Sequence, residues 1–209
     1  MTVSTRLSIP LLACSVGLAL GACSTPPQPS PQSAQSTATP TDAGQFASAQ
    51  SSASPSESAT RPINGDAWVR SLNDLAPQTT DDPMVFTDLR VGEHANFYRV
   101  TVEFTGTGSP GYFVSWSDEP REQGRGEPLE VSGEVFLDIV LSGTTMPVDE
   151  ALQPRYYDGP KTLAIGPIEV IEDGTFEDTT HIAIGMDAQR DFQIGFLADP
   201  VRAVIDIKR

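Results

Sequence analysis

Two cysteines, two histidines and 28 acids are the side chains with reactive chemistry to offer in this 209-residue chain. His94 stands in a polar turn before an alternating segment, and His181 directly precedes Ile182 at the start of another. They lack the His-x-x-x-His spacing that lets one helix face hold zinc, so each reads as a surface or strand-edge residue. The acids come in adjacent pairs, Asp81-Asp82, Asp118-Glu119, Asp149-Glu150, Glu172-Asp173 and Glu177-Asp178, all in loop-like sequence. Glycoside hydrolysis needs two carboxyl groups facing each other across a groove, and adjacency along the chain does not supply that. The stretch from Glu172 to Asp178 misses the Asp-x-Asp-x-Asp-Gly order of an EF-hand loop and reads as a hairpin turn. Weak calcium binding there stays open, because exposed carboxylates attract hard cations. No Gly-x-Ser-x-Gly elbow is present, and the glycine clusters lack the strand–glycine–helix setting of nucleotide sites. No catalytic residue, metal site or cofactor is therefore expected.

The cysteines sit differently. Met1 to Arg6 carries one positive charge, and Leu7 to Leu20 is apolar or small apart from Ser8 and Ser15. That core is too short for a membrane span of ~20 apolar residues and has the form of a signal peptide. It closes on Leu20-Gly21-Ala22-Cys23, which resembles the bacterial lipobox. Small side chains admit the backbone to a peptidase cleft, and the Cys23 thiol is the nucleophile that would receive diacylglycerol. Residues 1–22 are accordingly expected to be removed and Cys23 to be lipidated. Two or more acyl chains give stable anchoring where one does not. The chain is thus expected on the extracytoplasmic face of the cell membrane. Cys14 would leave with the signal peptide, so no thiol remains for a disulfide or a thiolate metal site.

From residue 23 to 62 the composition turns to Ser, Thr, Pro, Ala and Gln, with Phe46 the one large apolar side chain. Such a stretch buries too little surface to offset its ordering entropy. It reads as a disordered tether whose ends lie about 35 Å apart as a flexible coil, and its Ser and Thr residues leave O-glycosylation open. Only Asp42 and Glu57 among the acids, and Arg6 and Arg61 among the bases, precede Ile63, so the net charge of −15 belongs to residues 63–209. That balance repels a nucleic-acid backbone or an anionic membrane surface. Membrane attachment is left to the lipid.

Residues 63–209 alternate with period two. Tyr98, Val100, Val102 and Phe104 form one set, Tyr112, Val114 and Trp116 another, and Val135, Leu137, Ile139 and Leu141 a third. Ile168 with Val170, Ile182 with Ile184 and Met186, Phe192 with Ile194 and Phe196, and Ala203 with Ile205 and Ile207 continue the pattern. Gly106 to Gly111, Gly124 to Pro128 and Glu172-Asp173-Gly174 punctuate it as turns. Short alternating runs with turn signals predict an all-β antiparallel sandwich of about eight strands. Trp68, Leu72 and Leu75 have helical spacing, so a helix is expected only near Asp66 to Leu75.

Five segments in order carry a resemblance. Val91-Gly92-Glu93-His94 with Phe97 to Phe104, Pro110 to Val114, Gly126 to Gly133, Phe176 to Met186, and Leu197 to Ile207 are similar to the AMIN-like domain of actinobacterial-type lipoproteins. The resemblance implies a β-sandwich. From the broader AMIN group it implies a non-catalytic module that directs envelope proteins to peptidoglycan or to partner proteins. Arg99, Glu103, Arg202 and Asp206 fall on the strand face opposite the apolar rows. They read as cross-strand ion pairs on an exposed face, each worth little, or as a polar ligand-binding face. Tyr156-Tyr157, between Pro154 and Asp158-Gly159-Pro160, offer aromatic rings to a sugar or pack back over one end of the sandwich. A lipid-anchored envelope binding module follows, with a carrier of a small apolar ligand or lipid as the alternative and a wall hydrolase as the third class.

Overall fold

The computed structural model describes residues 60–209, and the readings for the signal peptide, Cys23 and most of the tether lie outside them. Alternation is realised as nine strands in two antiparallel sheets. They are β1 (Phe86–Glu93), β2 (Phe97–Phe104), β3 (Gly111–Ser117), β4 (Val135–Ser142), β5 (Thr162–Ile165), β6 (Ile168–Phe176), β7 (Thr179–Met186), β8 (Phe192–Leu197) and β9 (Val201–Lys208). The first sheet has the order β1-β2-β9-β8 and the second β3-β4-β7-β6-β5. The sandwich expectation holds, with β1 and β5 added to the seven runs named above.

One side chain in two points inward, as the pleat requires. Val100, Val102, Phe104, Ala203 and Ile205 from the first sheet meet Leu137, Ile139, Leu141, Ile182 and Ile184 from the second, all at 0–1% exposure. Phe86 and Phe192 fill the same layer. The Asp199-Pro200 turn joins β8 to β9 with a cis peptide bond.

Two local readings are corrected. No helix forms at Asp66 to Leu75. The chain there is extended, bridging Val69 to Phe192 and Leu75 to Tyr112. Phe192 begins β8 and Tyr112 lies on β3, the edge strands of the two sheets on one side of the sandwich. An edge strand presents unpaired N–H and C=O groups, and pairing them outweighs a helix that buries only Leu72 and part of Trp68. The approach is close: a Cβ on Gly111 would stand 2.2 Å from the Leu75 carbonyl oxygen. Glu172-Asp173-Gly174 is not a turn either. Strand β6 runs through it with the register to β7 shifting between Glu172 and Gly174. The hairpin turn comes at Glu177-Asp178, with Glu177 at φ 55°. Asp173 is the extra residue of a bulge, a device that re-aims one side chain.

Candidate functional site

Residues 61–69 form a strap across the outer face of the first sheet. Arg99 on β2 and Asp206 on β9 stand opposite each other in register. Their pairing is bidentate, Nε to Oδ1 at 2.7 Å and Nη2 to Oδ2 at 2.8 Å. Two parallel charge-assisted bonds make this the strongest pairing a guanidinium and a carboxylate offer. The strap then covers it. Ile63 N donates to Asp206 Oδ2 at 2.6 Å, and Arg99 Nη2 donates to the Arg61 carbonyl at 2.8 Å. Gln193, next to Asp206 across β8 and β9, accepts from Asn64 N at 2.5 Å and donates to the Gly65 carbonyl at 3.0 Å. Ile63 packs over Gly195, where a Cβ would come within 2.5 Å of it. Asp206 is left fully buried and the Arg99 side chain 13% exposed. The expectation of weak ion pairs on an exposed face is thus corrected for this pair, because residues preceding the sandwich roof that face.

Beyond Gly65 the strap brings Trp68 beside the start of β2 and the end of β9. There it walls a solvent-open cleft of about 620 Å³, lined by Trp68, Phe97, Asp66, Asn96, Lys208 and Arg209. Trp68 meets Phe97 at 6.5 Å, tilted by 51°. The His94 ring stacks on Phe97 at 4.3 Å. Its pKa is pushed below the ordinary value by burial and by the Arg99 cation, with Asp206 partly opposing, so this imidazole is neutral at neutral pH. Lys208 Nζ lies 5.9 Å from the Trp68 ring centre, and Arg209 closes the rim with an ion pair to Glu93 at 3.0 Å. Lys208 Nζ is also 3.7 Å from Asp191 Oδ2, so the two adjacent cations beside the indole each have one carboxylate partner. A flat ring, an amide, a carboxylate and two cations are what a carboxylate-bearing sugar would need for stacking, hydroxyl recognition and charge pairing.

A second groove, of about 530 Å³, lies on the outer face of the second sheet, with Phe113 half exposed on its wall and His181 at its base. His181 is neither at the surface nor at an edge, contrary to the reading from its neighbours. It is 2% exposed in the interior of β7. Its Nε2 bonds to Asp138 on β4, and its Nδ1 to Asp173 in the bulge at 3.1 Å. Burial alone would lower its pKa, but the two carboxylates overcome that and raise it to about 9. An imidazolium with both nitrogens committed to carboxylates has no lone pair to accept a proton, so it is no general base. It is a clamp. Asp173 Oδ2 also accepts from Gln123 N at 2.6 Å, fastening the loop before β4 to the sheet.

The family model for the AMIN-like domain matches residues 84–209. The chain belongs to that family. Searches of curated proteins and of solved structures found no match. The AMIN-like segment supplies Arg99, Gln193, Asp206, Phe97 and Lys208, whereas Ile63, Asn64, Asp66 and Trp68 precede it.

The AMIN-like domain separates the residues that the sequence suggested for contact. Tyr157 stacks on inward-facing Phe86 at 4.8 Å and donates its hydroxyl to the Pro160 carbonyl. Tyr156 meets Phe86 edge-on at 5.8 Å, and its hydroxyl accepts from Thr175 N. Both rings close one end of the core, so they share no groove with the Arg99–Asp206 pair on the outer face. Arg202 is partly exposed on β9, and its Nε donates to the Pro200 carbonyl at 3.2 Å. Cys23 lies outside the described residues. Among the described residues no three His, Cys, Asp or Glu side chains gather as a metal site would require. Trp68, Lys208 and the Asp138–His181–Asp173 clamp had no signature in the sequence. Each depends on strands far apart in the chain, and only the break in the alternation at Asp173-Gly174 hinted at the last.

Two outcomes follow. The folded pKa of His181 lies above its unfolded value near 6.5, so its contribution is full below pH 6.5 and is lost as pH rises through about 9. Urea unfolding should therefore show stability falling across that window, and His181→Gln should flatten the fall. The raised tyrosine pKa values act only above pH 10. Asp206→Ala should cost about 3–5 kcal/mol in the same assay, because it strands a largely buried guanidinium. Removing the exposed Asp187 from its pair with Arg190 should barely move the midpoint.

Proposed function

We propose that this chain is a lipid-anchored, non-catalytic binding module of the cell envelope that holds peptidoglycan in the cleft between Trp68 and Lys208. The observation that carries the reading is that cleft: an indole, two cations, an amide and a carboxylate gathered at one place on an acidic domain. Membership of the AMIN-like family supports it. Amino sugars of the wall offer a face to an aromatic ring, and their lactyl and peptide carboxylates suit Lys208 and Arg209. Cys23 attaches the chain to the outer face of the membrane, and residues 23–62 give the domain reach into the wall. Thr60 and Pro62, where that segment meets the domain, also line the cleft. The carrier reading loses ground because the space between the sheets is filled by Phe86, Phe104, Phe192 and the aliphatic rows around them.

The test is sedimentation of residues 24–209 with purified peptidoglycan at low salt. Retention is expected, with Trp68→Ala or the double change Lys208→Ala and Arg209→Ala reducing it at least tenfold while the circular dichroism is preserved. Absence of retention at low salt, or retention indifferent to both variants, would sink the proposal. Separately, Cys23→Ser should move the full chain from the membrane fraction to the soluble extracytoplasmic fraction.

A further inference from the structure

The face beneath the strap treats residues 61–65 as a polypeptide backbone rather than as particular side chains. Arg99, Asp206 and Gln193 direct four hydrogen bonds at the strap, and these fall on the Arg61 carbonyl, the Ile63 and Asn64 N–H groups and the Gly65 carbonyl. Gln193 presents its amide as a neighbouring strand would present a peptide group, accepting at one residue and donating at the next. Only two contacts read side chains: Ile63 over the bare Gly195, and Asn64 Nδ2 donating to the Ile194 carbonyl at 2.8 Å. Backbone bonds for affinity with one pocket for a side chain are the terms on which sheets accept added peptide segments.

We infer that this face is a polypeptide-docking site filled by the chain's own strap, and that it accepts the same segment, residues 61–69, from a second copy. The commitment to a second copy comes from how the strap is joined. Segment 61–69 is held by the bonds above and by the Val69–Phe192 bridge. Arg70 extends that hold, its guanidinium pairing with Asp191 at 2.5 Å and its carbonyl accepting from Trp116 Nε1 at 2.8 Å, and it travels with the strap. The chain next pairs at Leu75 with Tyr112. Between them Ser71, Asn73 and Asp74 are exposed, and Leu72 packs on the core. That is a hinge of four residues. It allows the strap to leave its own sheet while residues 75–78 stay docked. A second copy offers the identical hydrogen-bonding groups and the identical Ile63, so exchange conserves every contact, and swapping an identical element is a low-cost route to a dimer. Because Trp68 and Asp66 travel with the strap, the cleft beside β9 would then be built from two chains. This inference concerns the docking face and stands whether or not the cleft holds peptidoglycan.

Residues 24–209 contain no cysteine, which makes a mixing experiment clean. Chains carrying only Ile63→Cys are mixed with chains carrying only Gly195→Cys and oxidised, then resolved without reductant. In the second chain the new side chain displaces its own Ile63 and opens its face, so a mixed disulfide dimer is expected well above either homodimer. Only homodimers, at the yield of a Ser71→Cys control, would overturn the inference. Because Gly195→Cys could also unfold its chain, a second variant deletes Ser71 to Asn73, so that the strap cannot reach its own sheet. It should run as a dimer by light scattering at tens of micromolar, with Arg70 protected from trypsin. A folded monomer cleaved at Arg70 would count against exchange, and Gln193→Ala should weaken the dimer if exchange occurs.

Discussion

The Arg99–Asp206 pair and the main chain laid over it depend on each other. A carboxylate withdrawn from water costs several kcal/mol unless its charge and its lone pairs are answered. Arg99 answers the charge bidentately, but the second oxygen is completed by Ile63 N, which comes from outside the AMIN-like segment. Without the strap the pair would be an exposed cross-strand bridge of small worth. With it, removal of either member leaves the other's buried charge without its counter-charge. The strap in turn owes its path to Arg99, Asp206 and Gln193, since residues 61–65 supply little apolar surface of their own beyond Ile63.

From that anchorage the arrangement of the cleft follows. Docking at Asp206 and Gln193 sets the level at which the chain passes β8 and β9, and the Val69–Phe192 bridge sets its direction. Trp68 is thereby held against Phe97 and beneath Lys208. The cleft is thus rigid on its sheet side, where Phe97 is fully packed, and depends on the strap for its indole. A site built half from a sandwich and half from the segment leading into it couples ligand contact to the state of that segment.

The second sheet uses a related solution without the strap. His181, Asp138 and Asp173 place three ionisable groups together on its outer face, and the bulge in β6 supplies the third. Charged to about pH 9, the imidazolium ties β4, β7, β6 and, through Gln123, the long loop before β4. Leu129 and Val131 of that loop then lie over Ile171 and Ala183 as a small second apolar cluster. Each sheet therefore has one face in the common core and part of the other covered by a connecting segment held through a buried carboxylate.

Alternation in β2, β3, β4, β7, β8 and β9 was legible because a half-buried strand must place apolar side chains at every second residue, whatever lies across from it. The same rule determined the fold class and the inward rows, while composition alone determined the acidic, thiol-free character of residues 63–209, and the N-terminal pattern ending at Cys23 is readable as a lipidation signal without any fold. It could not tell which outer faces meet water. Arg99 and Asp206 look like any charged residues in alternating strands, and His181 like any histidine at the edge of an apolar run. Only the tertiary structure decided that residues 61–69 cross one face and residues 120–134 the other. Those coverings join segments 143 residues apart at Ile63 and Asp206 and 50 apart at Gln123 and Asp173, and a local pattern carries no information about a partner at such distances. Burial turns the same side chains from solvated charges into the bonds that hold the strap, the cleft and the clamp in place.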